Sequence, residues 1–177
     1  SSLKTLSFLT KMPRLRQLQF SYGEIEDYSQ LESLYYLKTL WLDFKAGPKF
    51  SDLSFLTFSP NLKELGLGGA NLEGLTGIEQ ARNLENLSAG EGPISDIAVL
   101  ADLAHLKNLN LYQQRISDIT PLAGLQQLEI VNVAENNLSS LGTVLINWSY
   151  PTSFNLSGNP LPCSEIEAAR ANANLTI

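Results

Sequence analysis

Leucine and isoleucine recur along this chain at a fixed beat. Within residues 104–137 the apolar positions are Leu106, Leu109, Leu111, Ile116, Ile119, Leu122 and Leu125. Leu128, Val131, Val133 and Leu138 restart the series 22 residues later. A period of this length marks stacked supersecondary units. The same half-unit begins at positions 15, 37, 62, 84, 106 and 128, at spacings of 22, 25, 22, 22 and 22. The three extra residues fall near 45–49, where Gly47-Pro48 marks a loop outside the repeat.

Each half-unit reads as a short strand whose inward residues alternate with outward ones, as in Leu106, Leu109 and Leu111. Parallel strands stacked about 4.8 Å apart form one long sheet. The other half of each unit is marked by Pro and Gly and is too short for a long helix, so turns or 3₁₀ segments are expected. Leu3, Leu6, Leu9 and Met12 match the back half of a unit, so the N-terminus reads as a fragment start. Near the other end, Ser164-Glu165-Ile166-Glu167 has the capping-box form and predicts a short helix to about residue 171. Leu175 and Ile177 predict a final strand. The chain reads as one domain over 1–177, with about seven strand rungs and a C-terminal cap over 162–177.

The pattern L-x-x-L-x-L-x-x-N-x-L, with its added I-S-D-I-x-x-L half, resembles the leucine-rich repeat family. The added half resembles the 22-residue class found in bacterial internalin-like proteins and in some eukaryotic phosphatase regulators. The resemblance implies an α/β leucine-rich-repeat solenoid: a curved parallel sheet on the concave face, turns or 3₁₀ segments on the convex face, and a short C-terminal capping helix. It also implies a scaffold that binds another protein on its concave face. Two alternatives stay open: the targeting domain of a larger, effector-type enzyme, and a glycan-binding surface protein.

Composition narrows the chemistry. A 44% hydrophobic content fits a well-cored domain. No run of apolar residues is long enough to cross a membrane. A net charge of −6 with scattered cations argues against nucleic acid as the main partner. Lys4, Lys11, Arg14 and Arg16 form the densest basic stretch and read as a solvated face. The single cysteine, Cys163, excludes an intrachain disulfide and is expected to be buried and inert. This points to a bacterial surface, secreted or cytoplasmic protein. His105 is the one histidine and falls in a solvent-facing turn, so neither a Cys-His pair nor a Ser-His-Asp set is expected. Gly66-x-Gly68-Gly69 lacks the Gly-Lys-Ser/Thr of a phosphate loop. Glu64 and Glu91 are one of several carboxylate pairs that 18 acids offer. No catalytic residue, cofactor or metal ligand is assigned, and a monomer that binds a protein partner is expected. Five Asn-x-Ser/Thr triplets, at Asn86, Asn137, Asn147, Asn155 and Asn174, are generated by the repeat itself.

Departures from the repeat are where function is sought. Gln114 stands where other units carry Asn136 and Asn159, and Gly92, Ala70 and Gly23 stand there earlier. Asn110, Asn132 and Asn155 share an outward column and are expected to form an amide ladder. Gly66, Gly68, Gly69, Ser88 and Gly90 leave a nearly bare floor, about 14 Å across, between Trp41, Asp43 and Phe44 on one side and Tyr112 on the other. Glycine within a strand marks close approach of a ligand or another backbone. The candidate partner-binding residues are therefore Tyr22, Trp41, Asp43, Phe44, Glu64, Gly66, Gly68, Glu91 and Tyr112.

Overall fold

The computed structural model describes residues 5–21, 28–43, 52–69 and 72–177. Strands follow the beat of the sequence: β1 (Gln17–Ser21), β2 (Thr39–Asp43), β3 (Glu64–Gly68), β4 (Asn86–Ser88), β5 (Asn108–Asn110), β6 (Ile130–Asn132), β7 (Thr152–Asn155) and β8 (Leu175–Thr176). They pair in parallel and in chain order, forming one eight-stranded sheet. Register places Leu18, Leu40, Leu65, Leu87, Leu109, Val131 and Phe154 in a single file. All seven are buried. Burying a side chain of this kind is worth about 1.5–3 kcal/mol, and no unit can do it without the unit beside it.

The return halves are 3₁₀ segments at Ser7–Lys11, Ser29–Ser33, Ser54–Phe58, Ile78–Gln80, Ala98–Asp102 and Thr120–Leu122. Each contributes one buried residue to a second file: Leu9, Leu31, Leu56, Ile78, Leu100 and Leu122. The aspartate of the repeat sets the turn into these segments. Asp96 and Asp118 each accept the backbone N–H two residues on, at 2.8 Å, an Asx turn.

Side-chain amides tie one rung to the next. Asn136 accepts from the Ile116 N–H at 2.9 Å and donates to the Leu111 carbonyl at 2.9 Å. Asn159 likewise accepts from Leu138 and donates to Val133. Gln114 makes the equivalent pair of bonds, from Ile94 at 2.9 Å and to Ala89 at 2.7 Å. The departure at Gln114 therefore keeps the bonding of the repeat.

The C-terminal helix α1 (Cys163–Arg170) precedes β8. Two sequence-based expectations fail here. The residue capping α1 is Pro162, with no side-chain cap bond, so Ser164 and Glu167 do not form a capping box. The neighbouring carboxylate, Glu165, instead reaches the preceding unit and accepts from the Leu141 N–H and the Ser140 hydroxyl. Cys163 is exposed rather than buried, because the chain has left the repeat by Pro162 and Cys163 opens the helix. Beneath the cap, buried Trp148 packs edge-on against Phe154 at 5.2 Å and donates to the Thr152 hydroxyl at 2.9 Å. Asn172 closes the end by donating to the Leu145 and Trp148 carbonyls.

Candidate functional site

The sheet face opposite the core carries three outward files. The first runs Gln17, Thr39, Glu64, Asn86, Asn108, Ile130 and Ser153. The second runs Gln19, Trp41, Gly66, Ser88, Asn110, Asn132 and Asn155. The third begins at Ser21, Asp43 and Gly68 and continues past the shorter strands through Gly90 and Tyr112.

The candidate residues divide between two depressions that share Ser88 and Asn110. Trp41 and Glu64 line a groove of about 580 Å³ that runs across β2–β6 to Ile130 and Asn132. Asp43, Gly68, Glu91 and Tyr112 line a smaller one of about 250 Å³, together with Gly69 and Gly90. Gly66 belongs to neither. The indole of Trp41 lies across it, and a Cβ built there would fall inside the ring. The expected bare floor is thus partly filled by the chain's own tryptophan. Gly68 faces the Asp43 carboxylate, whose Oδ1 lies 3.3 Å from where a Cβ would stand. Gly90 faces Tyr112 in the same way, with the Tyr112 carbonyl at 3.4 Å. Glu64 and Glu91 lie toward opposite ends of the strands and share no depression. Tyr22 and Phe44 lie outside the described residues.

Amides hold the larger groove in shape. Asn132 donates to Asn110 at 2.9 Å, and Asn110 donates to the Ser88 hydroxyl at 3.2 Å. A second bridge joins Asn108 to Asn86 at 2.6 Å. Asn155 stands in the expected column, but its Oδ1 accepts from Ser157. Against these polar rows stand two large apolar side chains, Trp41 at 40% exposure and Ile130 at 56%. Ile130 escapes the sequence analysis because it abuts Val131 and reads as part of a core run. The alternation Ile130-Val131-Asn132-Val133 is the signal that assigns it outward.

Charge is ordered at the edge where the strands begin. Glu85 bridges two cations, Lys63 and Lys107, the latter at 3.0 Å. The Lys63 bond first, and the Lys107 bond with it, hold the Glu85 carboxyl down at about 2, against 4.5 ordinarily. Among the described residues, no group of three or more His, Cys, Asp or Glu is arranged to hold a metal ion. No described helix is long and apolar enough to cross a membrane. His105 is exposed.

Solved structures with this architecture are leucine-rich-repeat proteins. Internalin C2 (InlC2) from Listeria monocytogenes str. 4b F2365 matches all of this chain and 76% of its own, at 23% identity and a TM-score of 0.87. Internalin InlF from the same strain matches 99% of this chain and 50% of its own, at 28% identity and 0.88. The TLR13–ssRNA13 complex matches 98% of this chain and 28% of its own, at 21% identity and 0.79. This chain thus spans three quarters of one internalin structure and half of the other. No family model matches it, and no curated protein does. The fold is that of leucine-rich-repeat solenoids, internalins among them.

Proposed function

We propose that this chain is a non-enzymatic recognition module that seats a partner protein on the concave face of its sheet. One observation carries this reading: the groove of about 580 Å³ with exposed apolar anchors toward its two ends, Trp41 and Ile130. Large side chains left in water contribute most when a partner buries them, and tryptophan is prominent among such anchors. The amide rows between them are already hydrogen-bonded, so the floor is ordered before binding and little further ordering is required. Tyr112, with Asp43, Gly68 and Glu91, supplies a second contact in the smaller depression. Gly66 serves as the seat of Trp41. Asp43, Glu64 and Glu91 favour a partner with basic groups. Tyr22 and Phe44 join the set by sequence position. The likeness to internalins supports an interaction role in general.

The test is capture of partners from source and host lysates by the wild-type chain beside a Trp41→Ala/Tyr112→Ala variant, with circular dichroism to confirm that both are folded. A protein retained by wild type and lost by the variant is the expected result. A protein retained equally by both would place the site elsewhere. Retention of glycans on an array, with no protein captured, would replace this reading by glycan recognition.

A further inference from the structure

The edge of the sheet where the strands begin carries a second, unlike surface. Each unit contributes the residue just before its strand, and backbone bonds hold these residues in register. The N–H of Lys38 donates to the Arg16 carbonyl, and that of Lys63 to the Lys38 carbonyl, each at 2.8 Å. The series continues through Glu85, Lys107 and Glu129. Its far half alternates in sign, and Glu85 is paired on both sides. Its near half does not alternate: Arg16, Lys38 and Lys63 are three cations on three successive rungs. Arg14 is exposed beside them. Among the described residues, no carboxylate forms an ion pair with Arg14, Arg16 or Lys38. Like charges in register on neighbouring strands are unfavourable, and the fold offsets the stack only at Lys63, through its pair with Glu85, leaving Arg16 and Lys38 as the departure.

Exposed aromatics accompany these cations. Tyr35 and Tyr36 are 57% and 50% exposed, with rings edge-on at 5.3 Å. Phe58, on the next unit, is 44% exposed. Asn61 fixes the two units against each other by donating to the Tyr35 carbonyl at 3.1 Å. In the later units the places of Tyr35-Tyr36 are taken by Pro60-Asn61, Arg82-Asn83, Ala104-His105, Gln126-Gln127 and Ser149-Tyr150, the last tyrosine being half-buried. Among the described residues, the well-exposed aromatics of this edge therefore stand beside the unpaired Arg16 and Lys38.

We infer that this edge is a docking surface for an acidic segment of a partner protein, one that carries aromatic or aliphatic side chains between its carboxylates. The cations meet the carboxylates, and Tyr35, Tyr36 and Phe58 receive the apolar side chains. The cation stack spans two strand spacings, about 10 Å, which suits a few residues of extended peptide. A chain with net charge −6 repels a long polyanion beyond that stretch, which disfavours nucleic acid and membrane surfaces. This surface is independent of the groove that holds Trp41 and Ile130.

The experiment is fluorescence anisotropy with a labelled synthetic peptide of alternating Glu and Phe, beside its Lys/Phe counterpart, at low and high salt. The wild-type chain should bind the Glu/Phe peptide in preference to the Lys/Phe one, and added salt should weaken that binding. Arg16→Ala/Lys38→Ala should lower affinity about tenfold, as loss of two close charge contacts does. Tyr36→Ala should lower it several-fold, whereas Arg82→Ala, on the same edge but two units beyond Tyr35, should bind as wild type does. Circular dichroism on each variant separates lost binding from lost fold. Failure of wild type to bind, or equal binding by the Arg16/Lys38 variant, overturns the inference. So does displacement of the peptide by oligo(dT) or by vesicles of anionic lipid at lower concentration than by unlabelled peptide.

Discussion

The carboxamide of Gln114 sits in space that Gly92 leaves open one rung earlier. A Cβ at Gly92 would stand 3.1 Å from Gln114 Oε1 and 3.3 Å from Nε2. Glutamine is one methylene longer than the asparagine that does this work at Asn136 and Asn159, and the absent side chain at Gly92 gives the longer one room. Gln114→Ala should therefore cost about 1–3 kcal/mol, because it strands the buried Ala89 carbonyl and Ile94 N–H. Gln114→Asn should cost less, since the shorter amide makes the same bonds elsewhere. Gly92→Asn should be destabilising alone and better tolerated together with Gln114→Asn. Urea denaturation of the four proteins measures the coupling, expected at about 1 kcal/mol; zero coupling would show that the two positions are independent.

Two glycines with positive φ should respond differently to alanine. Gly77 has φ +98°, and a Cβ there would lie 2.6 Å from the Leu53 carbonyl carbon in the preceding unit. Neither the conformation nor the neighbouring backbone can yield cheaply, so Gly77→Ala should cost more than about 2 kcal/mol. Gly142 has φ +55° with open space around it. Its alanine variant should lose only the left-handed penalty, about 1–2 kcal/mol. Thermal unfolding of both variants gives the order, and a reversal would mean that contact with Leu53 does not govern the cost.

How much of this was legible in the sequence depends on what set each feature. The strand positions follow from burial alone: leucine every 22 residues leaves one way to stack, and β1–β7 lie where the pattern places them. Cys163 departs from expectation because an apolar neighbourhood in sequence is not a place in the repeat. Pro162 had already ended the repeat, and a helix begun there turns its first side chain to water. Ile130 is missed for the opposite reason, as an outward residue hidden inside an apolar run. The glycine floor was readable as composition, and the register Trp41↔Gly66 follows from the repeat. The direction in which the indole lies does not follow from it, because a rotamer is chosen by the space available, and here the glycine provides that space.

Glu85 should shape the acid limb of stability. Its carboxyl is held at about 2 by Lys63 and Lys107, against 4.5 in an unfolded chain. A lowered folded-state value contributes stability that is complete above 4.5 and is lost as pH falls from there toward about 2. Glu85→Gln should flatten that part of the pH profile. Added salt should shrink the difference between the two proteins, because the bridge is at the surface. The Lys107 ammonium is shifted upward, first by its bond to Glu85. Its contribution is therefore present below 10.5 and lost as pH rises beyond that. Denaturant midpoints followed across pH test both limbs, and an unchanged acid limb in the Gln variant would remove Glu85 from the account.

Gly66 offers a way to move Trp41 without removing it. A Cβ at Gly66 would fall inside the indole, and the obstructing atoms are those of a surface side chain that can swing away. Gly66→Ala should therefore change stability by no more than about 1 kcal/mol while displacing the ring into solvent. The chain has two tryptophans, and Trp148 is 4% exposed, so any gain in acrylamide quenching reports Trp41. Quenching should rise in Gly66→Ala and remain at the wild-type level in Gly68→Ala, whose new methyl would meet the Asp43 carboxylate instead. A Trp41→Phe variant isolates the Trp148 background. If the groove seats its partner on a ring held flat against the sheet, Gly66→Ala should weaken capture nearly as much as Trp41→Ala does. Full capture by Gly66→Ala with its quenching raised would mean that the indole serves as an anchor without needing that seat.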